Sequence, residues 1–300
     1  MSDTDLTLSI VQRAADIDAD EWDACARGVN SNASPNPFCT HAFFVALEES
    51  GSASAQTGWA PVHLVARHGH DVVGIAPCYL KSHSRGEYVF DHGWAEALQR
   101  AGGQYYPKLQ VSVPFTPATG PRLMVRVNAN ADTRQVLARG LIALCGQLEA
   151  SSAHVTFLTQ EDEEDLVAQG FLKRTDQQFH WRNTGFSSFN DFLASLNARH
   201  RKIVKRERRE ALQNGISIHW LSGDAITPDV WDSFFAFYMD TGSRKWGRPY
   251  LNRDFYTRIG ETMRASIVLI MAQRAGKWIA GAINFIGKDT LYGRHWGAIE

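Results

Sequence analysis

One order of hydrophobic periodicities occurs twice along this chain, and it limits the fold more than any other feature. Leu6 to Val11 alternates as a strand does, and helical patterns follow at Asp20 to Ala26 and His41 to Glu49. Two further strand patterns, Val62 to Arg67 and Val72 to Lys81, are joined by His68-Gly-His-Asp71, a hairpin signal. The second pass begins with a strand at Ile216 to Leu221. Pro228 then opens a helix carrying Trp231, Phe234, Phe235, Phe237 and Tyr238, and another helix starts at Asn252. Strands at Ser266 to Ala272, Trp278 to Ile286 and Thr290 to Trp296 close the pass. A strand, a helix pair and an antiparallel run, used twice, predict an α/β (α+β) chain with mixed, mostly antiparallel sheets flanked by helices.

The first pass extends further than the second. Tyr106 to Val113 and Arg122 to Val127 read as strands, with Pro107, Pro114, Pro117 and Pro121 in and between them. Prolines at that density do not fit a central ladder, so they predict a rigid irregular wall. An amphipathic helix over Asp132 to Glu149, a strand over His154 to Thr159 and an acid-headed helix ending at Gly170 follow. Phe171 to Arg182 reads as an edge strand or hairpin, and Gly185-Phe-Ser-Ser188 as a linker. The expected domains are therefore 1–183 and 184–300. The second pass ends at Gly297-Ala-Ile-Glu300 with no closing helix, so the second domain is expected to be truncated at its C-terminus.

Charge separates the two passes. The whole chain carries a net charge of −1, yet residues 1–181 hold 13 Lys+Arg against 21 Asp+Glu, and residues 182–300 hold 18 against 11. A basic half joined to an acidic one predicts an anionic ligand for the basic half. Seven cations fall within residues 199–209, five of them Arg, on a predicted helix from Ala198 to Asn214. Arg201, Lys205 and Arg208 are the candidates for phosphate contact, since the guanidinium fork suits phosphate. Alternative uses of this helix are a solvated face with i,i+4 pairs such as Arg206 to Glu210, or docking onto the acidic run at residues 161–165.

Other classes are disfavoured. The start has no basic segment followed by an apolar one, and the most apolar window, Ile267 to Ala272, is far short of the ~20 residues of a membrane helix. Cys25, Cys39, Cys78 and Cys145 form no metal-binding spacing and read as reduced, mostly buried thiols of a cytoplasmic protein. His68 and His70 read as a solvated hairpin tip.

Two more constellations carry chemistry. Tyr238, Thr241, Arg244, Lys245, Trp246, Arg248 and Tyr250 would present cations and stacking faces on a loop broken by Gly242 and Gly247. Tyr292-Gly-Arg-His-Trp-Gly297 sets two glycines around Arg294 and His295, a pattern for close backbone approach, and His295 is a candidate general base. The alternative for each is a covering loop and a packed histidine.

Together these motifs resemble the FemAB-like proteins of the peptidoglycan biosynthesis and recognition group. The resemblance rests on the basic helix, Phe237-Tyr238…Thr241…Lys245-Trp-Gly-Arg-Pro-Tyr-Leu251 and Leu291-Tyr-Gly-Arg-His-Trp-Gly297. It rests equally on Tyr105-Tyr-Pro-Lys-Leu109 and Val113-Pro-Phe-Thr-Pro-Ala-Thr-Gly-Pro-Arg122. It implies two tandem GNAT-like domains and transfer of an acyl or aminoacyl group to an amine, with a cell-wall precursor or another small molecule as acceptor. The co-substrate would be acyl-CoA or aminoacyl-tRNA, so tRNA is a candidate partner, and no permanently bound cofactor or metal is expected. The alternative is a non-catalytic module of the same fold that binds a peptidoglycan precursor or RNA. The Gln/Arg-x-x-Gly-x-Gly/Ala signature of acyl-CoA pyrophosphate binding does not occur in the sequence. On this reading Tyr250, Arg294 and His295 lie near the chemistry. Arg201, Lys205, Arg208, Arg244 and Lys245 bind phosphate, with Trp246 beside them. Tyr106, Lys108, Thr116 and Arg122 line the acceptor groove.

Overall fold

The computed structural model describes residues 6–28, 35–244 and 248–299. The first pass comprises β1 (Leu6–Val11), α1 (Ala19–Arg27), α2 (His41–Glu49), β2 (Trp59–Pro61), β3 (His63–His68), β4 (Asp71–Ala76) and β5 (Cys78–Lys81). It continues with α3 (His92–Arg100), β6 (Lys108–Val111), β7 (Met124–Val125), α4 (Thr133–Gln147), β8 (Ala153–Val155) and α5 (Gln160–Ala168). The second pass comprises α6 (Phe189–Ser195), α7 (Ala198–Glu210), β9 (Ile216–Ser222), α8 (Pro228–Arg244) and α9 (Arg253–Thr262). It ends with β10 (Ile267–Arg274), β11 (Lys277–Ile286) and β12 (Leu291–Ala298).

The described strands form three four-stranded sheets, ordered β1-β3-β4-β7, β2-β5-β6-β8 and β12-β11-β10-β9. All their pairings are antiparallel except β6 with β8. The first two sheets are one ribbon that splays. Pro77 and Val62 interrupt the hairpin at the same level, where the Val62 amide donates to the Cys78 carbonyl at 2.9 Å. Past that point the strands pass from the first sheet into the second. Proline supplies no ladder donor, so a bend there leaves no amide unpaired.

A strand, two helices and an antiparallel run thus occur in both passes, as the periodicity predicts. The third sheet packs α8 against β11 and β12 on one face. On its other face the register sets Trp220, Ile270, Ala282 and Trp296 in one cross-strand row.

The main core does not stop between the passes. Phe38, Phe43, Phe44 and Leu47 of the first share one apolar cluster with Phe255, Tyr256, Ile283 and Phe285 of the second. Phe38 meets Phe285 with ring centroids 4.9 Å apart and Tyr292 at 5.1 Å, and Phe43 meets Phe255 edge-on at 5.7 Å. Polar contacts reinforce the seam. Asn252 Nδ2 donates to the Ser50 carbonyl at 2.5 Å, and Arg258 pairs with Glu49. A separate apolar cluster under α4 belongs to the first pass alone.

Three local expectations are corrected. Phe171 to Arg182 forms no strand: the segment is exposed, with Leu172 and Phe179 96% and 89% accessible. Alternating apolar residues make a strand only when a neighbour supplies the ladder. Helix α3 was not foreseen, because it carries Gly93 and buries no residue. The basic helix makes no ion pair with the acidic run among the described residues. No residue of α7 is buried, and its one ion pair among the described residues is Arg206 with Glu210 at 3.7 Å. The acidic run is occupied elsewhere: Arg134 holds Glu161 and Asp165, each at 2.8 Å, and Lys173 holds Glu163.

Candidate functional site

Strand β12 brings two candidate residues onto one face. Neighbours on a strand normally point to opposite sides. Here His295 lies opposite Ile283 while Gly293 lies opposite Asn284, so Arg294 is an extra, bulged residue. The bulge turns Arg294 and His295 into the same cleft between the two passes. Phe38, Phe43, Leu47, Pro114, Phe115 and Thr116 wall that cleft from the first pass. Leu251, Phe255, Tyr256, Ile283 and Phe285 wall it from the second. Its free volume is about 10 Å³, room for one water.

Burial, with the adjacent Arg294 cation adding to it, pushes His295 down to about 3, so the imidazole is neutral at physiological pH. Tyr238 stands 5.0 Å from it, ring to ring. The Tyr238 hydroxyl accepts the amides of Tyr250 and Leu251 at 3.0 and 3.2 Å, which fixes the chain entering the cleft. Tyr250 stacks on Phe115, its ring 5.0 Å away and 11° from parallel. Arg294 donates to the Phe115 carbonyl. Its guanidinium carbon lies 5.9 Å from the Phe38 ring and 5.8 Å from the Tyr88 ring. Arg294 has no carboxylate partner among the described residues.

Tyr250, Arg294, His295 and Thr116 are therefore brought together. Tyr106, Lys108 and Arg122 are not. Lys108 is fully buried, bonded to Glu87 at 2.7 Å, Asp91 at 2.5 Å and Ser84 at 2.9 Å. Burial alone would raise Asp91, but the bonds from Lys108 and Tyr105 outweigh it and bring Asp91 down to about 2. Lys81 lies beside this cluster, 3.8 Å from Glu87 and 3.6 Å over the Trp59 ring, and burial pushes it down to about 7. Tyr106 shares a hydrogen bond with Ser84 at 2.8 Å. Arg122 is fully buried and donates to the carbonyls of Ala118 and Thr156 at 2.8 and 2.9 Å. Neither Lys108 nor Arg122 lines an open groove. Both hold the proline-rich wall in place.

The remaining candidates lie apart. Arg201, Lys205 and Arg208 sit on the solvent-facing α7, with Arg208 4.0 Å over the Phe189 ring. Arg244 pairs with Asp240 and donates to the Ala298 carbonyl at 2.7 Å. Lys245 and Trp246 fall outside the described residues. The thiols of Cys25, Cys39 and Cys78 are buried, Cys145 is partly so, and all four are free. Among the described residues no His, Cys, Asp and Glu cluster is placed to hold a metal. No helix among them is long and apolar enough to cross a membrane. A wider hollow of about 450 Å³ beside Leu6, His68, Arg126 and Asn130 contains none of the motif residues.

Sequence reasoning missed Tyr88 and Tyr256. Tyr256 reads as core because it keeps helical spacing with Ile259, and Tyr88 stands in a loop without a motif.

The sequence model of the FemAB-like family, described as peptidoglycan biosynthesis/recognition, matches residues 13–300. This chain belongs to the FemAB-like family. No curated protein matches it. The solved structure of FemX is similar at 11% identity and a TM-score of 0.48, covering 94% of this chain and 79% of that one. A conserved protein of unknown function from Bacteroides thetaiotaomicron VPI-5482 is similar at 11% identity and 0.49, covering 97% and 80%. A tandem GNAT protein from the clavulanic acid biosynthesis pathway is similar at 12% identity and 0.37, covering 99% and 75%. In this FemAB-like chain the motif residues that converge do so at the seam, on the bulge of β12.

Proposed function

We propose that this FemAB-like chain moves an acyl or aminoacyl group to an amine acceptor, and that the seam cleft is where it does so. The supporting observation is the bulge that sets Arg294 and His295 together in a nearly dry cleft walled by both passes. In such a transfer the amine nitrogen attacks the carbonyl carbon of an ester or thioester. The N–C bond forms, the C–O or C–S bond breaks, and the amine proton ends on the departing oxygen or sulfur. No covalent enzyme intermediate is required, so positioning and oxyanion stabilisation carry the rate. A neutral imidazole with a low pKa is a weak base, so His295 suits the role of accepting a hydrogen bond from the incoming amine and orienting it. Tyr250 would cover the acceptor, and the closed cleft would exclude water.

Acyl-CoA and aminoacyl-tRNA are the candidate donors, and a cell-wall precursor is the acceptor the family description favours. Division into GNAT-like units at 183/184 belongs to this proposal. The test is incubation of the chain with a UDP-linked muropeptide and each donor in turn, with the acceptor mass read by mass spectrometry. A mass gain equal to the transferred group, lost in His295→Ala, supports the reading. No gain with either donor overturns it.

A second reading has one observation in its favour. Seven cations lie on α7, none of them buried, with Arg206–Glu210 the one ion pair among the described residues. That arrangement suits a binding module for a polyanion, with affinity that falls as salt rises.

A further inference from the structure

Two polar groups in the seam cleft lack the partners their burial calls for. The first is the Arg294 guanidinium. It has five N–H donors, and the one bond it is seen to make is to the Phe115 carbonyl. It stands among the rings of Phe38 and Tyr88 with no acid paired to it among the described residues. A half-buried cation without an anion is costly, and aromatic faces offset only part of that cost. The second is the Tyr256 hydroxyl, which is fully buried and has no hydrogen-bond partner among the described residues. It lines the same cleft as Arg294. Buried polar groups are nearly always satisfied, so two under-satisfied donors on side chains that line one cleft mark a place for an acceptor.

The charge count selects the kind of acceptor. His295, next along the strand, is neutral, and Arg294 is the one charged side chain lining the cleft among the described residues. One fixed positive charge balances a monoanion. A guanidinium fork with one added hydroxyl matches the two oxygens of a carboxylate. A phosphate dianion calls for more charge and more donors than the described lining residues supply.

We infer that Arg294 and Tyr256 form a subsite for a substrate carboxylate, so that one reactant of the transfer bears a free carboxyl group. This rests on the seam cleft being the reaction site, and it names a recognition element that the transfer alone does not require. At about 10 Å³ the cleft is too small for the group as it stands. The rings of Tyr88 and Tyr250, 40% and 38% accessible, lie against Arg294 and Phe115, so the walls must shift to admit it.

The experiment is calorimetric titration of the intact chain with N-acetylalanine, its carboxamide and inorganic phosphate. N-acetylalanine is expected to bind, at least about tenfold more weakly in Arg294→Gln and about fivefold more weakly in Tyr256→Phe. The carboxamide is expected not to bind, and phosphate to bind more weakly than the carboxylate. Equal binding of acid and amide, tighter binding of phosphate, no binding of N-acetylalanine, or unchanged affinity in Arg294→Gln would each overturn the inference. If circular dichroism shows Arg294→Gln unfolded, Arg294→Lys takes its place, because it keeps the charge and loses the fork. Carboxylate binding without transfer would retain the subsite and remove the reaction. Transfer that is undiminished in Arg294→Gln would do the reverse.

Discussion

Phe115 and Tyr250 lie on different passes of the chain and stack at 5.0 Å, 11° from parallel, and it is the Phe115 carbonyl that receives Arg294. Phe115 is held there at φ +58°, a conformation that a phenylalanine rarely adopts. Below it runs Gly86, whose amide oxygen accepts the Phe115 N–H at 3.1 Å. A methyl group on Gly86 would stand 2.6 Å from the Phe115 ring, at a φ of +82°. Gly86→Ala is therefore expected to cost about 1–3 kcal/mol and to displace Phe115 from the stack. Urea denaturation checks the first effect, and loss of transfer activity checks the second. Wild-type stability in this variant would show that the ring yields freely.

Gly297 marks where β12 presses on α8. A Cβ there would lie 2.2 Å from the Phe237 carbonyl oxygen, which is backbone and has no rotamer to move. Gly297→Ala should reach or exceed the upper end of the ~1–3 kcal/mol typical of overpacking. Because the strand must shift, His295 should move with it. Thermal denaturation and the Tyr238–His295 ring contact by NMR would report the two together.

Lys108→Met should destabilise the chain by about 3–5 kcal/mol, since it leaves Glu87 and Asp91 buried without their hydrogen-bonded cation. Chemical denaturation against wild type measures this. A variant of equal stability would mean that Lys81 moves across to replace the lost charge.

Acid should loosen the fold through its buried histidines. His295 and His154 are held down to about 3 and about 4, against 6.5 when unfolded. The unfolded chain therefore binds more protons below pH 6.5, and stability falls from there towards pH 3. Lys81, down to about 7 from 10.5, acts in the alkaline window: its contribution is full above 10.5 and is lost as pH falls towards 7. A pH series of unfolding curves tests both windows, and His295→Gln should flatten the acid limb in part.

Much of this was legible beforehand, and the failures have physical causes. Helix α2 was read at its observed bounds because Phe43, Phe44 and Leu47 form one stripe. The hairpin turn at His68 to Asp71 and the closing strands were read within two residues, since each has an apolar face and a turn signal. Thr40, a residue type suited to capping, stands at the N-cap of α2. It precedes the helix, but its hydroxyl donates backwards to the Pro37 carbonyl at 2.8 Å. In the site, Arg294, His295 and Tyr250 were legible because glycines and a loop bracket them. Lys108 and Arg122 were misread because a cation in a proline-rich wall looks the same in sequence whether it faces a ligand or its own chain. Only burial separates the two cases, and burial is a property of the whole fold.

The aromatic seam has a consequence for how such a chain can change over generations. Phe38 touches Phe285 and Tyr292, and Phe43 touches Phe255 and Phe285, across the join. A substitution on either pass is therefore felt at once by the other, so the two passes do not vary independently. A change that reshapes the cleft from one side disturbs the packing that holds the other side in place.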